Sequence, residues 1–156
     1  MAKYAAQTTV SSEKSRVEIE RILTRYGATQ FDYGWNGQQA MIAFHFQGRY
    51  VRFNVTIPEA GALRTTKGYK PRDVNKTYGQ VIRQRWRALA LAIKAKLELV
   101  ESGITTFEQE FLSHVVLPNK QTIGEWIAPQ LEHIYATQNL PALLPGMQDS
   151  PDGCQK

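Results

Sequence analysis

Two turn signals, Asn36-Gly37 and Gln47-Gly48, lie eleven residues apart with apolar residues alternating on either side of each. Asn-Gly is a strong short hairpin signal because both residues tolerate positive φ, and Gln-Gly between alternating strands reads the same way. A two-residue turn at 47–48 sets Phe46 opposite Arg49, Phe44 opposite Val51 and Ile42 opposite Phe53. A two-residue turn at 36–37 sets Trp35 opposite Gln38, Tyr33 opposite Ala40 and Phe31 opposite Ile42. Both registers put Phe31, Tyr33, Ile42, Phe44, Phe46, Val51, Phe53 and Val55 on one face. The expectation is a three-stranded antiparallel meander, ended by Pro58, whose apolar face packs on helices.

Those helices are legible on either side of it. Ser11 or Ser12 can cap a helix over 12–26, where Ile19, Ile22, Leu23 and Tyr26 form one apolar stripe and Gly27 suits the terminating left-handed position. Residues 58–75 read as a long basic loop. A long helix over 76–102 follows, with Tyr78, Ile82, Trp86, Leu89, Ile93, Leu97 and Val100 on one stripe, and Gly103 closes it. A short helix over 107–114, a turn at Pro118-Asn119 and a last helix over 123–137 complete the order. Thr122 and Glu125 make a capping box for that last helix, and Pro129 is expected to kink it. The fold class is α+β: helix, meander, long helix, helical C-terminal extension. One domain is expected over 1–145, with a loose arm at 1–10 and a tail at 146–156. Trp35, Trp86 and Trp126 are expected to anchor the core.

The net charge of +5 is unevenly placed. Between residues 64 and 87 stand Arg64, Lys67, Lys70, Arg72, Lys76, Arg83, Arg85 and Arg87 against Asp73 alone, while residues 98–156 are acidic. Such asymmetry marks a surface for an anionic partner. Lys67, Lys70, Arg72 and Lys76 are read on the loop, and Arg83, Arg87 and Lys94 within about 40° of one another on the long helix. A basic loop leading into a basic helix face suits phosphate neutralisation. The competing reading is a solvated face balanced by Glu98, Glu101 and the acidic C-terminal third.

A second candidate surface is the other face of the sheet. Met41, Ala43, His45, Tyr50, Arg52 and Asn54 point away from the core there. Tyr50 beside His45 and Arg52 is an arrangement with which sheets stack bases. The preferred expectation is that the C-terminal helices cover this face.

No nucleophile elbow, phosphate-binding glycine loop or dinucleotide motif occurs, so no enzyme is expected. Glu110 and His114 stand at i, i+4 without the further ligand that a metal needs, so neither metal nor cofactor is expected. The lone Cys154 forms no internal disulfide, no apolar run approaches the roughly 18 residues of a membrane span, and the first residues lack an apolar signal segment. The expected compartment is the cytoplasm.

The element order resembles that of double-stranded RNA-binding domains, a likeness of fold alone. At the level of words, Ser12-Glu13-Lys14-Ser15-Arg16, Tyr33-Gly34-Trp35, Arg83-Gln84-Arg85-Trp86-Arg87-Ala88-Leu89, Lys94-Ala95-Lys96-Leu97-Glu98 and Gly124-Glu125-Trp126 resemble a family of small bacteriophage and prophage proteins. The resemblance runs from about residue 11 to 145 and carries no activity or site residues. It implies an infected host cell, where small basic proteins serve DNA metabolism or block host defences. Two functions follow as expectations. One is a non-enzymatic accessory protein binding DNA or RNA without sequence preference. The other is an inhibitor, of the anti-defence or anti-CRISPR kind, that covers an acidic or nucleic-acid-recognising surface of a host factor such as a defence nuclease.

Overall fold

The structure is a computed structural model that describes residues 8–36, 39–57 and 71–139, with the backbone alone for 71–76. Its elements are α1 (Ser12–Arg25), β1 (Thr29–Trp35), β2 (Gln39–Phe46), β3 (Arg49–Thr56), α2 (Pro71–Glu101), α3 (Phe107–Phe111) and α4 (Ile123–Thr137). This is the α+β order read from the sequence. No helix among the described residues is long and apolar enough to cross a membrane.

Local chemistry explains the element ends. The Ser11 hydroxyl accepts from the Lys14 backbone and caps α1. At the other end, Gly27 (φ +93°) lets its own N–H reach Thr24 O while the Ala28 N–H reaches Leu23 O. That pair of bonds is a Schellman stop, and Ala28 and Leu23 are both buried beneath it. The long helix begins at Pro71, not at 76. Proline is pre-set for a first helical position and forfeits only an N–H that has no intrahelical partner there. Arg72 and Lys76, expected on a loop, therefore belong to the first turns of α2. The rest of the expected loop, 58–70, lies outside the described residues, as do most of the arm and the whole tail.

The sheet runs β1-β2-β3. Gln47 and Gly48 both have positive φ, and Phe46 pairs with Arg49, Phe44 with Val51 and Ile42 with Phe53, as the turn chemistry predicts. The first hairpin differs. Trp35 pairs with Ala40 and Tyr33 with Ile42, two residues from the expected register. Asn36 decides this: its N–H donates to Gln39 O at 3.0 Å, and its side-chain oxygen accepts from Gln39 N at 2.9 Å. The hairpin thus closes on Asn36 and Gln39. A slip of two leaves every side chain on its face, so the apolar face survives the change. An irregularity between Thr29 and Asp32, with Gln30 at φ +54°, bends the start of β1.

That face, α1 and α2 enclose the core. Ile42, Phe44, Val51 and Phe53 meet Ile19 and Leu23 of α1 and Trp86, Ala90, Ile93 and Leu97 of α2. Phe107 and Phe111 of α3 close the end, with Phe107 stacked on Phe111 at 4.6 Å and near Phe46 at 4.4 Å. Each such aromatic contributes about 1.5–3 kcal/mol by leaving water. Of the three tryptophans only Trp86 is a core anchor. Trp126 is half-buried, and Trp35 is 55% exposed at a corner of the sheet.

Beyond α3 a turn of 3-10 helix (Leu112–His114) leads to Val115, which bridges to Val51 on the outer edge of β3, and Val116, which bridges to Thr122. The chain doubles back through Pro118–Lys120 and enters α4 through the capping box of Thr122 and Glu125. The helix continues across Pro129, and none of its residues is fully buried.

Candidate nucleic-acid interface

The sequence locates cations on α2, and the tertiary structure decides what each one touches. Helices α1 and α2 run parallel. Thr8 O accepts from the Gln80 amide near their start, Glu18 pairs with Arg87 midway, and the Tyr26 hydroxyl donates to Glu101 near their end at 2.7 Å. Arg83, Arg87 and Lys94 lie on the side of α2 turned toward α1. Arg83 donates to Gln80 Oε1 at 2.6 Å, Arg87 holds Glu18, and Lys94 is exposed. Lys67 and Lys70 lie outside the described residues, and Arg72 and Lys76 occupy the first turns of the same helix.

The opposite flank of α2 behaves differently. Arg85 donates to Thr56 O at the end of β3, and Lys96 donates to Glu110 Oε2 at 3.0 Å and Glu110 O at 2.8 Å. These two cations fasten the helix to its neighbours. Of the five cations from Arg83 to Lys96, these two are thus structural rather than presented to a ligand.

The structure adds cations that sequence reasoning missed. Lys14, Arg21 and Arg25 are exposed and fall within about 40° of one another around α1. They share that side with Glu18, whose contact with Arg87 shows that it borders α2. Periodicity alone could have grouped the three. Only the helix packing sets them beside Arg83, Arg87 and Lys94. The combined face is six cations on two parallel helices, bounded at one end by Glu98 and Glu101. Glu101 raises the Tyr26 hydroxyl to about 12 by accepting its hydrogen bond.

On the far side of the sheet the expected stacking trio is broken up. His45 and Tyr50 are together, ring centres 4.8 Å apart, and the Tyr50 hydroxyl donates to Asp32 at 2.9 Å. Burial and that bond raise the Tyr50 pKa. Arg52 is withdrawn from the group: it donates to Lys120 O at 3.0 Å and to Glu125 Oε2 at 2.8 Å. Asn54 donates to the other Glu125 oxygen at 3.0 Å. The N-terminal turn of α4 therefore meets this face at β3, and the C-terminal helices do not blanket it. Beside it lies a groove of about 400 Å³ lined in part by Gly34, Met41, Arg52 and Asn54.

Glu110 is spent on Lys96, and His114 lies flat on Phe53 at a ring separation of 4.0 Å. No family model, no curated protein and no solved structure matches this chain.

Proposed function

We propose that the protein is a non-enzymatic, phage-type accessory protein that holds nucleic-acid phosphates along the cationic face of α1 and α2, without reading base sequence. The observation that carries this reading is the convergence of Lys14, Arg21 and Arg25 with Arg83, Arg87 and Lys94 on one side of two parallel helices. Lys14 to Arg25 and Arg83 to Lys94 each span about 16 Å of helix axis. Each strand of a duplex carries one phosphate per about 3.4 Å of its axis, so a row of three cations can meet up to about three of them. Cations held at such spacing displace condensed counterions, which supplies affinity without base contacts. Arg72 and Lys76 extend the same helix toward residues 58–70, where Lys67 and Lys70 continue the charge. Neither cofactor nor metal is needed for such binding.

The test is a salt titration of binding to single- and double-stranded oligonucleotides of unrelated sequence. Log affinity should fall linearly with log salt, similarly for all sequences. Replacing Lys67, Lys70 and Arg72 together by Ala should flatten that slope by about two to three units. Undetectable binding at about 50 mM salt, where electrostatic association is strong, defeats the reading.

The second reading, an inhibitor that covers a host protein, is favoured by α4. This apolar helix leaves Leu131 43% and Tyr135 76% exposed. A pull-down from host lysate that loses its partner on Leu131→Glu, but keeps it on Lys94→Ala, would support that reading.

A further inference from the structure

The two outer edges of the sheet are treated differently. That of β3 is met at Tyr50 and Val51 by Val115 and Val116, the latter donating its N–H to Tyr50 O at 2.8 Å. That of β1 pairs with nothing among the described residues, and most of the strand is exposed. An unpaired edge offers backbone donors and acceptors to another strand, and proteins blunt such edges with charges, proline or bulges. Here the irregularity at Gln30 blunts only the first half. The straight half, Asp32 to Trp35, has one charge and presents two aromatics, Tyr33 at 40% and Trp35 at 55% exposure. Beside it on α1 stands Val17, also 55% exposed, in a groove of about 260 Å³ that Tyr33, Arg16 and Glu20 help to line.

We propose that this edge is the interface of a homodimer, in which β1 pairs antiparallel with β1 of a second copy about a two-fold axis through Gly34. The patch is its own complement. Arg16 stands among Glu13 and Glu20, so the patch carries both signs of charge, which a closed isologous interface between identical surfaces can pair. Its ion pair with Glu13 at 3.4 Å, the one it makes among the described residues, is exposed and easily exchanged. With the axis at Gly34, Tyr33 faces the partner's Trp35 on the helix-bearing side, and this aromatic pair occurs twice. On the other side Asp32 faces the partner's Asn36, so no carboxylates oppose each other. The two three-stranded sheets merge into one of six strands. Since the axis is perpendicular to the sheet, α1 and Val17 meet their counterparts on one side of it. Lys14 and Arg21 flank Val17 on α1 and so border this interface, whereas Arg83, Arg87 and Lys94 lie on α2, the helix farther from β1. A second copy accounts for the backbone edge, the aromatics and the mixed charge together. A foreign peptide strand needs only the first.

The inference is independent of nucleic-acid binding, because its test contains no nucleic acid. Sedimentation equilibrium of the full chain near 150 mM salt should give a mass twice 17.7 kDa at high concentration. Val17→Glu with Trp35→Lys, both at exposed sites, should weaken association about tenfold or more with an unchanged circular dichroism spectrum. In a Cys154→Ser background, Val17→Cys should form an intermolecular disulfide on mild oxidation, and Tyr135→Cys should not. A mass of 17.7 kDa up to about 100 μM, a scale at which dimers held by about 5.5 kcal/mol or more would be seen, overturns the proposal. So does a dimer indifferent to the Val17 and Trp35 changes, or one cross-linked through Tyr135 and not Val17.

Discussion

Arg52 and Glu125, 73 residues apart in the chain, meet at 2.8 Å, and the same Glu125 oxygen accepts from the Thr122 N–H at 2.7 Å. One carboxylate thus completes the capping box of α4 and ties that helix to β3. The Thr122 backbone bond, with Arg52 beside it, holds the Glu125 carboxyl below its usual range. Since no residue of α4 is fully buried, this junction adds an anchor to the packing of its half-buried residues.

Glu125→Ala should therefore loosen α4 selectively. Losing one arm of a capping box costs about 0.5–2 kcal/mol, and a largely exposed ion pair adds less than about 1 kcal/mol. Hydrogen exchange should speed up across 123–137 while the strands stay protected. Arg52→Ala should do part of the same, and the double variant should fall short of the sum. Equal loss of protection throughout the sheet would contradict this account.

Stability should fall in mild acid because of His114. Burial is the main cause that pushes its pKa below the ordinary value, and the nearby Lys96 adds to it. The unfolded chain takes up its proton near pH 6.5 and the folded chain only at lower pH. Stability is thus intact above about 6.5 and declines as pH drops through the lowered folded value. Urea midpoints measured from pH 8 to 5 should show that decline, and His114→Phe, which retains a ring against Phe53, should remove most of it. A wild-type midpoint unchanged across that range would refute the assignment.

Core and surface aromatics should differ sharply. Phe44 is fully buried between Phe31 and Phe53, each 6.4 Å away, so Phe44→Ala should cost about 3–5 kcal/mol. Tyr135→Ala should stay within about 0.5 kcal/mol, given its 76% exposure. Chemical denaturation measures both.

The cations of α2 should separate by flank. Glu18→Gln releases Arg87 and should strengthen nucleic-acid binding, steepening the salt slope by up to about one unit. Lys94→Ala should weaken binding without touching stability. Lys96→Ala should lower stability and leave binding nearly unchanged, because its ammonium is held by Glu110. An equal drop in affinity for all three would refute the division.

Much of the fold was legible because it rests on short-range periodicity. The stripe Ile19/Leu23, the stripe Trp86/Ile93/Leu97 and the alternation from Ala40 to Val55 each name a buried face without reference to anything distant. Caps were legible for the same reason: Ser11, Gly27 and the Thr122/Glu125 box act within a few residues. The register of the first hairpin was not, since turns two residues apart give identical alternation and the backbone and side-chain bonds between Asn36 and Gln39 separate them. The start of α2 was missed because its charges resembled a loop while Pro71 marked a helix.

The candidate site divides along the same line. Sequence by itself determined which side chains are cationic and that Arg83, Arg87 and Lys94 share a face, because helix geometry is local. It determined equally that His45, Tyr50 and Arg52 leave the core together, because strands alternate. Only the tertiary structure decided that Arg52 turns to Glu125, that Arg87 turns to Glu18, and that Lys14, Arg21 and Arg25 join the α2 cations. Charge is a property of the residue, but its availability depends on a neighbour brought near by packing. The acids that hold Arg52 and Arg87 lie 73 and 69 residues away in the chain, beyond the reach of any local pattern.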